Sequence, residues 1–302
     1  MKLCATDRVA VISPASQQRG KDRELLAEGI SVLAGWGLAV INLSNEDPHL
    51  YLAATDGVRA SSLIDALLDP SIKAIFCTRG GYGSQRLIPY VRELTEVPEK
   101  FLVGYSDITT LHSVAAVLWP NVVRVHGPNI ATAQFLGSGD EGMQNRESLR
   151  SLLFASAGKR TETVEFLQGG HAIGPIEGGC LSLLASSVGT GFLLSMRGAI
   201  AFIEDTGEPP YRIDRMLTQL KNAGIFRDAR GIVFGEMHRC ADPYNNIKDV
   251  LRDVFQDFRG PIAFGLRSGH GPNNISLRLG QQVCLDSSSR SIATIDPSLT
   301  QD

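Results

Sequence analysis

The sequence has no long apolar segment, no cluster of basic residues and no closely spaced cysteine pair. No apolar run approaches the roughly 20 residues that a membrane-spanning helix needs, and charge appears too early for a signal peptide. The five cysteines lie far apart and never form C-x-x-C, so neither a disulfide framework nor a zinc site is indicated. A net charge of −3 with dispersed Lys and Arg argues against nucleic-acid and membrane partners. We therefore expect a cytoplasmic enzyme or binding protein.

The 302 residues are enough for two domains. Short apolar segments at 8–12, 38–41 and 74–77 alternate with amphipathic helical segments. This alternation predicts an α/β fold with a doubly wound parallel sheet, whose ligands bind beyond the carboxyl ends of the strands. We predict a first domain over residues 1–158, a glycine-rich linker over 159–176 and a C-terminal domain over 177–302.

A turn around Ser106 joins an apolar segment ending at Gly104 to a segment with helical spacing of apolar residues. A serine there can be presented at the carboxyl edge of the sheet, beside the N–H of Asp107 at a helix start. Taken alone, Ser106 is more typical of a helix N-cap, and Ile108 makes the G-x-S-x-G pattern incomplete. The turn alone leaves both interpretations open.

A glycine-rich loop over residues 78–84 follows the third apolar segment. Its glycines allow backbone N–H groups to approach an oxyanion, a carboxylate or a phosphate, although a simple tight turn is also possible. The loop matches neither the dinucleotide pattern nor the P-loop pattern. Because it and the Ser106 turn end consecutive strands, we expect both to face one crevice.

A nucleophilic serine needs a base, usually His, and a carboxylate that orients it. Three histidines remain candidates for the base: His126, His238 and His270. The last lies in a glycine-bounded loop with no packing reason for an imidazole, so it ranks first. Helix or surface positions are assigned to His49, His112 and His171. Glu204 and Asp205 end a predicted buried strand, and either can orient the base or cap a helix.

Five motifs in this order resemble one family: Arg79-Gly-Gly-Tyr-Gly83, Gly104-Tyr-Ser-Asp107, Glu177-Gly-Gly-Cys-Leu-Ser-Leu-Leu-Ala185, Ile203-Glu-Asp205 with Pro210-Tyr-Arg-Ile-Asp-Arg-Met-Leu217, and Gly269-His-Gly-Pro-Asn-Asn274. Together they resemble the LD-carboxypeptidases, serine peptidases that include the murein tetrapeptide carboxypeptidases and the microcin C immunity proteins. The similarity covers nearly the whole chain. It departs from the family at Cys180, where members usually have Asn, and this departure bears on substrate preference.

The resemblance implies a nucleophile at Ser106, a base at His270 and an orienting acid at Glu204 rather than at Asp205. It implies an oxyanion hole formed by the N–H groups of Gly81 and Asp107. It further implies a smaller β-rich C-terminal domain that supplies the acid and the base, a homodimer, and a mechanism that needs no metal or cofactor.

The expected substrate is a small peptide, a recycled muropeptide, cleaved at the L,D bond to its terminal D-alanine. Its carboxylate needs a cationic partner, for which four side chains are plausible: Arg79, Arg212, Arg239 and Arg267. Tyr82 and Arg79 are the expected substrate contacts. One alternative is an immunity-type peptidase that cleaves a peptidyl-nucleotide bond, with adenine stacking on an aromatic residue: Tyr82, Tyr211 or Tyr244. Another is a non-catalytic α/β protein that binds an anion at the glycine loop.

Overall fold

The computed structural model describes residues 1–20, 22–44, 47–155 and 160–295. The chain forms two compact units. Unit 1 comprises Met1–Ser156 and Pro272–Leu277, and unit 2 comprises Ala157–Gly271 and Arg278–Asp302. The predicted domain boundary at residue 158 lies outside the described residues. The return of Pro272–Leu277 to unit 1 differs from the prediction, which placed residues 177–302 together.

The strands, in chain order, are β1 (Arg8–Ile12), β2 (Ala39–Asn42), β3 (Ile72–Cys77), β4 (Lys100–Gly104), β5 (Val122–His126), β6 (Thr161–Thr163), β7 (Glu165–Gln168), β8 (His171–Cys180), β9 (Ile200–Thr206), β10 (Gly231–His238), β11 (Ile262–Gly269), β12 (Leu277–Arg278), β13 (Gln282–Asp286) and β14 (Ser291–Thr294). The α-helices are α1 (Asp22–Gly35), α2 (Asp56–Leu68), α3 (Ile88–Val91), α4 (Thr109–Leu118), α5 (Ala133–Leu136), α6 (Asp140–Phe154), α7 (Leu181–Ser186), α8 (Pro210–Asn222) and α9 (Ile247–Val254). Short 3₁₀ turns occupy Ser84–Leu87 and Ser106–Ile108.

The sheet of unit 1 has the order β2-β1-β3-β4-β5, with β12 beyond β5. The five strands from β1 to β5 are parallel. β3 and β4 are almost entirely buried, as expected of strands covered on both faces. Strand order reverses between β1 and β3, the kind of position where parallel sheets bind ligands. The parallel sheet predicted for the N-terminal domain is confirmed.

The sheet of unit 2 has the order β6-β14-β13-β8-β9-β10-β11-β7. Its central strands β8 to β11 are parallel, and the flanking pairs are antiparallel. The apolar faces of α8 and α9 contribute Ile213, Leu217 and Leu251 to a buried core against β9 and β10. A second sheet domain therefore follows the first.

Most of the segment predicted as a linker, residues 159–176, lies in strands β6, β7 and β8. Residue 159 lies outside the described residues. The burial of β8 alternates along most of its length, so the alternating sequence pattern belongs to a strand with one covered face. Its glycines allow β8 to lie close to β9, since a Cβ on Gly178 would collide with the Phe202 backbone of β9.

Candidate active site

Ser106 follows β4 on a sharp turn and has φ +63°. Tyr105 before it is extended, and the 3₁₀ turn Ser106–Ile108 leads directly into α4. A non-glycine residue with positive φ is uncommon, and such strain is concentrated at functional sites. The N-cap of this turn is Tyr105, so the structure does not support the alternative reading of Ser106 as the cap. The geometry is that of a strand-to-helix turn presenting a serine at the sheet edge.

The glycine loop lies directly against this turn. A Cβ added to Gly80 would be 2.8 Å from the Ser106 Cβ, 3.0 Å from its Oγ and 3.3 Å from the Asp107 nitrogen. Gly81 has φ +102°, and a Cβ there would collide with the Ser16 hydroxyl. Only residues without a side chain fit both positions as the loop stands, so its backbone can approach the serine closely.

Arg59, on α2, is hydrogen-bonded to the glycine loop. Its side chain is completely buried, and its Nη1 donates hydrogen bonds to the carbonyl oxygens of Pro14 and Gly83, the latter at 3.0 Å. Its Nε donates to the Ala54 oxygen at 3.2 Å, and its Nη2 pairs with the Asp56 carboxylate at 2.5 Å. Arg59 is not among the functional residues predicted from the sequence. The available signal was an arginine in the apolar row that continues through Leu63 and Leu67.

The Asp107 carboxyl group ties the serine turn to the far end of the glycine loop. The side chain is fully buried, and its Oδ2 accepts the Ser84 N–H at 2.8 Å. Burial raises the pKa of Asp107, while the hydrogen bonds from Ser84 and the charge of Arg59 offset part of that rise. The residue after the serine therefore fixes the loop through its side chain as well as carrying a backbone N–H at the turn.

Glu204 and His270 form a close pair within unit 2. Glu204 is fully buried near the end of β9, and its Oε2 lies 2.6 Å from the His270 Nδ1. Gly269, the last residue of β11, lies against it: a Cβ there would be 2.6 Å from the same oxygen. Burial lowers the pKa of His270, but the Glu204 charge and its hydrogen bond outweigh this and raise it. This is the arrangement of a base oriented by a carboxylate.

Asp205, the other candidate acid, has a different role. Its Oδ2 accepts the Ser182 N–H at 2.8 Å and its Oδ1 accepts the Thr206 N–H at 2.7 Å. Burial raises its pKa, with Glu204 adding to the rise. The two adjacent carboxylates are thus divided by geometry: Glu204 contacts the imidazole, and Asp205 binds backbone at the start of α7. Spacing alone left this choice open.

Two family models cover most of the chain. The LD-carboxypeptidase N-terminal domain matches residues 9–127, and the LD-carboxypeptidase C-terminal domain matches residues 173–285. The chain belongs to the LD-carboxypeptidase family. It is therefore a carboxypeptidase-family peptidase, as the sequence motifs predict.

Two relatives and one solved structure illustrate the similarity of this LD-carboxypeptidase to known proteins. It is 33% identical to the probable murein peptide carboxypeptidase of Bacillus subtilis, over 94% of this chain and 90% of the relative. It is 32% identical to the murein tetrapeptide carboxypeptidase of Pseudomonas aeruginosa, over 92% and 93% of the two chains. The fold matches a structure of the microcin C7 self-immunity protein in complex with aspartyl sulfamoyl adenosine, with a TM-score of 0.87, 22% identity and coverage of 99% and 98%.

Other histidines of this LD-carboxypeptidase occupy different positions. His112 is buried on α4, its Nε2 lies 2.9 Å from the Gly104 oxygen, and burial lowers its pKa to about 4. His126 is buried at the end of β5, with its ring 5.8 Å from that of Tyr105. His238 ends β10 and is partly exposed.

The expected substrate contacts differ in their surroundings. Tyr82 is 44% exposed, and its ring lies 5.8 Å from that of Tyr51. The Arg79 Nη1 donates a hydrogen bond to the Gln17 backbone oxygen at 3.1 Å. Arg212 and Arg267 form ion pairs with Glu208 and Glu162, at 2.8 and 2.9 Å. The exposed stacking candidates of unit 2 are Tyr211 and Tyr244.

Cys180, at the departure from the family, is buried at the end of β8, with its Sγ 3.2 Å from the Ser182 hydroxyl. Burial raises its pKa, and the nearby Glu204 and Asp205 carboxylates add to the rise. The thiol is therefore held neutral rather than activated.

Within the described ranges, no group of three His, Cys, Asp or Glu side chains is placed to hold a metal ion. No helix in that part of the chain is long and apolar enough to cross a membrane.

Proposed function

We propose that this chain is a serine carboxypeptidase that hydrolyses the L,D bond to the terminal D-alanine of murein tetrapeptides during cell-wall recycling. The observation that carries the proposal is the pair formed by a buried Glu204 and His270, 2.6 Å apart. A serine on a strained turn supports it, as do two relatives named for murein peptide substrates. The proposed triad is Ser106, His270 and Glu204.

In this mechanism the Ser106 Oγ attacks the carbonyl carbon of the scissile amide while the His270 Nε2 takes its proton. Glu204 accepts the Nδ1–H, which fixes the tautomer and favours the imidazolium that forms. His270 then donates the proton to the nitrogen of the departing D-alanine. Water, deprotonated by the same imidazole, hydrolyses the ester on Ser106.

The oxyanion of each tetrahedral intermediate accepts hydrogen bonds from the N–H groups of Gly81 and Asp107. One such donor contributes roughly 10²–10³ to the rate. The close packing of Gly80 on Ser106 and the helix start at Asp107 support this assignment. Both groups are backbone donors, which need no reorganisation when the charge develops.

The terminal carboxylate of the substrate is proposed to bind Arg79, with Tyr82 as a neighbouring contact on the same loop. Arg79 begins the glycine loop whose Gly80 lies against Ser106, and this position favours it. Arginine can form paired, charge-assisted hydrogen bonds to a carboxylate. The scheme requires no metal or cofactor.

We place the enzyme in the cytoplasm and propose that it acts as a homodimer. Five free cysteines, three of them buried, support a reducing compartment. The resemblance to the LD-carboxypeptidases is what supports the dimer. Light scattering coupled to size-exclusion chromatography tests it, since a mass near twice the 32.6 kDa of one chain is expected.

The primary test is Ser106→Ala, assayed on a tetrapeptide ending in D-alanine with release of D-alanine as the readout. The loss of the nucleophile is expected to reduce kcat by about 10³-fold or more. Ser31→Ala is the matched control, because that exposed serine on α1 donates a hydrogen bond to the Ala27 oxygen in the same helix. Activity of the Ser106 variant within a few-fold of wild type would remove Ser106 as nucleophile.

A second candidate is an immunity-type reaction on a peptidyl-nucleotide bond. The exposed pair Tyr51 and Tyr82 beside the glycine loop favours it, because such rings can stack on a nucleobase. Mass spectrometry of products from a panel of muropeptides and a peptidyl-adenylate mimic separates the two reactions. Labelling of Ser106 by a fluorophosphonate would exclude the third reading, a non-catalytic anion-binding protein.

A further inference from the structure

One buried guanidinium in unit 1 links three separate segments of backbone. Arg59 donates hydrogen bonds to Pro14, in the turn after β1, to Ala54, in the segment before α2, and to Gly83, in the glycine loop after β3. All three acceptors are carbonyl oxygens at the sheet edge that carries Ser106. The fork shape of the guanidinium makes these simultaneous bonds possible, which a lysine cannot reproduce.

Stability alone does not account for a charge at this position. A buried guanidinium loses its hydration, and an apolar side chain of similar volume fills such a space without that loss. An apolar side chain would not, however, bind the Gly83 carbonyl. The loop is also fitted closely to the guanidinium, because a Cβ on Gly83 would lie 2.9 Å from the Arg59 Nη1.

The glycine loop is fixed at both of its ends, by Arg59 and the serine turn at one end and by the serine turn at the other. Arg59 binds the Gly83 oxygen, and the Asp107 carboxylate binds the adjacent Ser84 N–H at 2.8 Å. The positive charge of Arg59 also favours the ionised form of Asp107. At the other end of the loop, Gly80 packs so closely on the serine that a Cβ there would lie 2.8 Å from the Ser106 Cβ. A shift of Gly83 would therefore move Gly81 relative to the serine.

We propose that Arg59 is a positioning residue for transition-state stabilisation: it holds the glycine loop so that the Gly81 N–H is aimed at the oxyanion that forms on the substrate. This inference rests on the proposed function of Ser106 and Gly81. The Arg59 side chain is completely buried and acts through the loop, so its main effect is on the rate of the chemical step. A smaller effect on KM is expected through Tyr82, the neighbour of Gly83.

The test compares Arg59→Met, Arg59→Lys and wild type by two measurements. The first is fluorophosphonate labelling of Ser106, in which the amplitude reports the folded fraction and the rate constant reports the oxyanion hole. The second is the separation of kcat and KM on the tetrapeptide. Arg59→Met is expected to lower the labelling rate constant and kcat by about 10-fold or more, with KM changed less than about 3-fold. The values for Arg59→Lys should fall between those of Arg59→Met and wild type, because lysine keeps the positive charge but lacks the forked guanidinium.

The matched control is Lys100→Met, which removes another buried cation bound to backbone oxygens. Lys100 donates to Ala66 and Asp69 at 2.8 and 2.9 Å, but at the amino end of β4, away from Ser106. This variant is expected to lower the melting temperature while leaving the labelling rate constant of its folded fraction unchanged. It separates loss of stability from loss of positioning.

Chemical rescue gives an independent readout. With Arg59→Ala, guanidinium added below unfolding concentrations should restore part of the labelling rate, whereas the same concentration of sodium should not. The inference would be overturned if Arg59→Met had the labelling rate constant and kcat of wild type. If Arg59→Met does not fold, the same result in Arg59→Lys and Arg59→Ala would overturn it. Absence of labelling at Ser106 in the wild-type enzyme would instead overturn the proposed function.

Discussion

At the scale of single residues, two adjacent carboxylates are distinguished by their partners rather than by their positions in sequence. Glu204 and Asp205 are adjacent and both buried, yet only Glu204 is hydrogen-bonded to His270. Asp205 is directed to the backbone N–H groups of Ser182 and Thr206. Because neighbouring residues of a strand point to opposite faces, the strand geometry assigns the two roles.

The raised pKa of His270 predicts the pH dependence of activity. The base must be neutral, so kcat/KM should rise with pH through a value above the ordinary 6.5 of histidine. Glu204→Gln removes the charge that raises this pKa, so the acidic limb should move to lower pH while the plateau falls. A pH profile of kcat/KM measures both changes.

Glu165→Gln is the control for that profile, since Glu165 pairs with Lys248 at 2.5 Å elsewhere in unit 2. Its profile should overlay that of wild type. An acidic limb that stays in place in Glu204→Gln would contradict the assigned partnership. The same linkage affects stability: the pair contributes fully below the unfolded-state pKa, and the contribution is lost as pH rises through the raised folded-state pKa.

At the scale of elements, the serine turn and the glycine loop depend on close backbone approach. Gly80→Ala places a methyl group 2.8 Å from the Ser106 Cβ without requiring positive φ. The crowding should displace the serine or the loop, so we expect the labelling rate constant and kcat to fall by about 10-fold or more. Labelling kinetics and the melting temperature are measured together.

Gly57→Ala is the matched control, because a Cβ there meets nothing within 4 Å and the residue lies in α2. It should stabilise the fold by about 0.5–1 kcal/mol and leave turnover unchanged. Wild-type labelling in Gly80→Ala would show that the loop is not held against the serine in solution.

Much of the element pattern was predictable, because apolar segments alternate with helical ones and the strands β1, β3 and β4 of unit 1 are largely buried. The Ser106 turn was also visible, since an apolar run ends three residues before a helical pattern begins. The strands of residues 161–176 were not predictable, because their glycine-rich sequence resembles that of a linker and their partner strands lie far along the chain. Arg59 stands in the apolar row of α2, but its role was not predictable, because its backbone acceptors lie in three other segments and leave no pattern of residue types.

At the scale of the whole molecule, the chain leaves unit 2 directly after the His270 loop and returns to unit 1 for six residues. Asn145 on α6 anchors this return: its Nδ2 donates to the Pro272 oxygen at 2.9 Å, and its Oδ1 accepts the Asn274 N–H at 2.7 Å. The Ser148 hydroxyl accepts the Ser276 N–H at 2.9 Å. Side chains on a buried face of α6 thus supply hydrogen-bond partners for the backbone of residues 272–276.

Asn145→Ala should therefore destabilise unit 1, because it leaves the buried Asn274 N–H and the Pro272 oxygen without their partner. The expected cost is about 1–3 kcal/mol in the free energy of unfolding. Urea denaturation measures this, and hydrogen exchange should show faster exchange at Asn274. The exposed Asn121, 3.4 Å from the Val97 oxygen, gives a control whose alanine variant should change little. Unchanged protection at Asn274 would contradict the anchoring role.

The return of Pro272–Leu277 also determines how the molecule can be divided. A fragment ending at residue 155 would lack this segment and β12, so β5 would become an open sheet edge, available for pairing with other chains. A fragment starting at residue 160 would carry the same segment without its own partners. The two units therefore cannot be exchanged between relatives as consecutive gene cassettes, and a working chimera must transfer residues 272–277 together with the amino-terminal half.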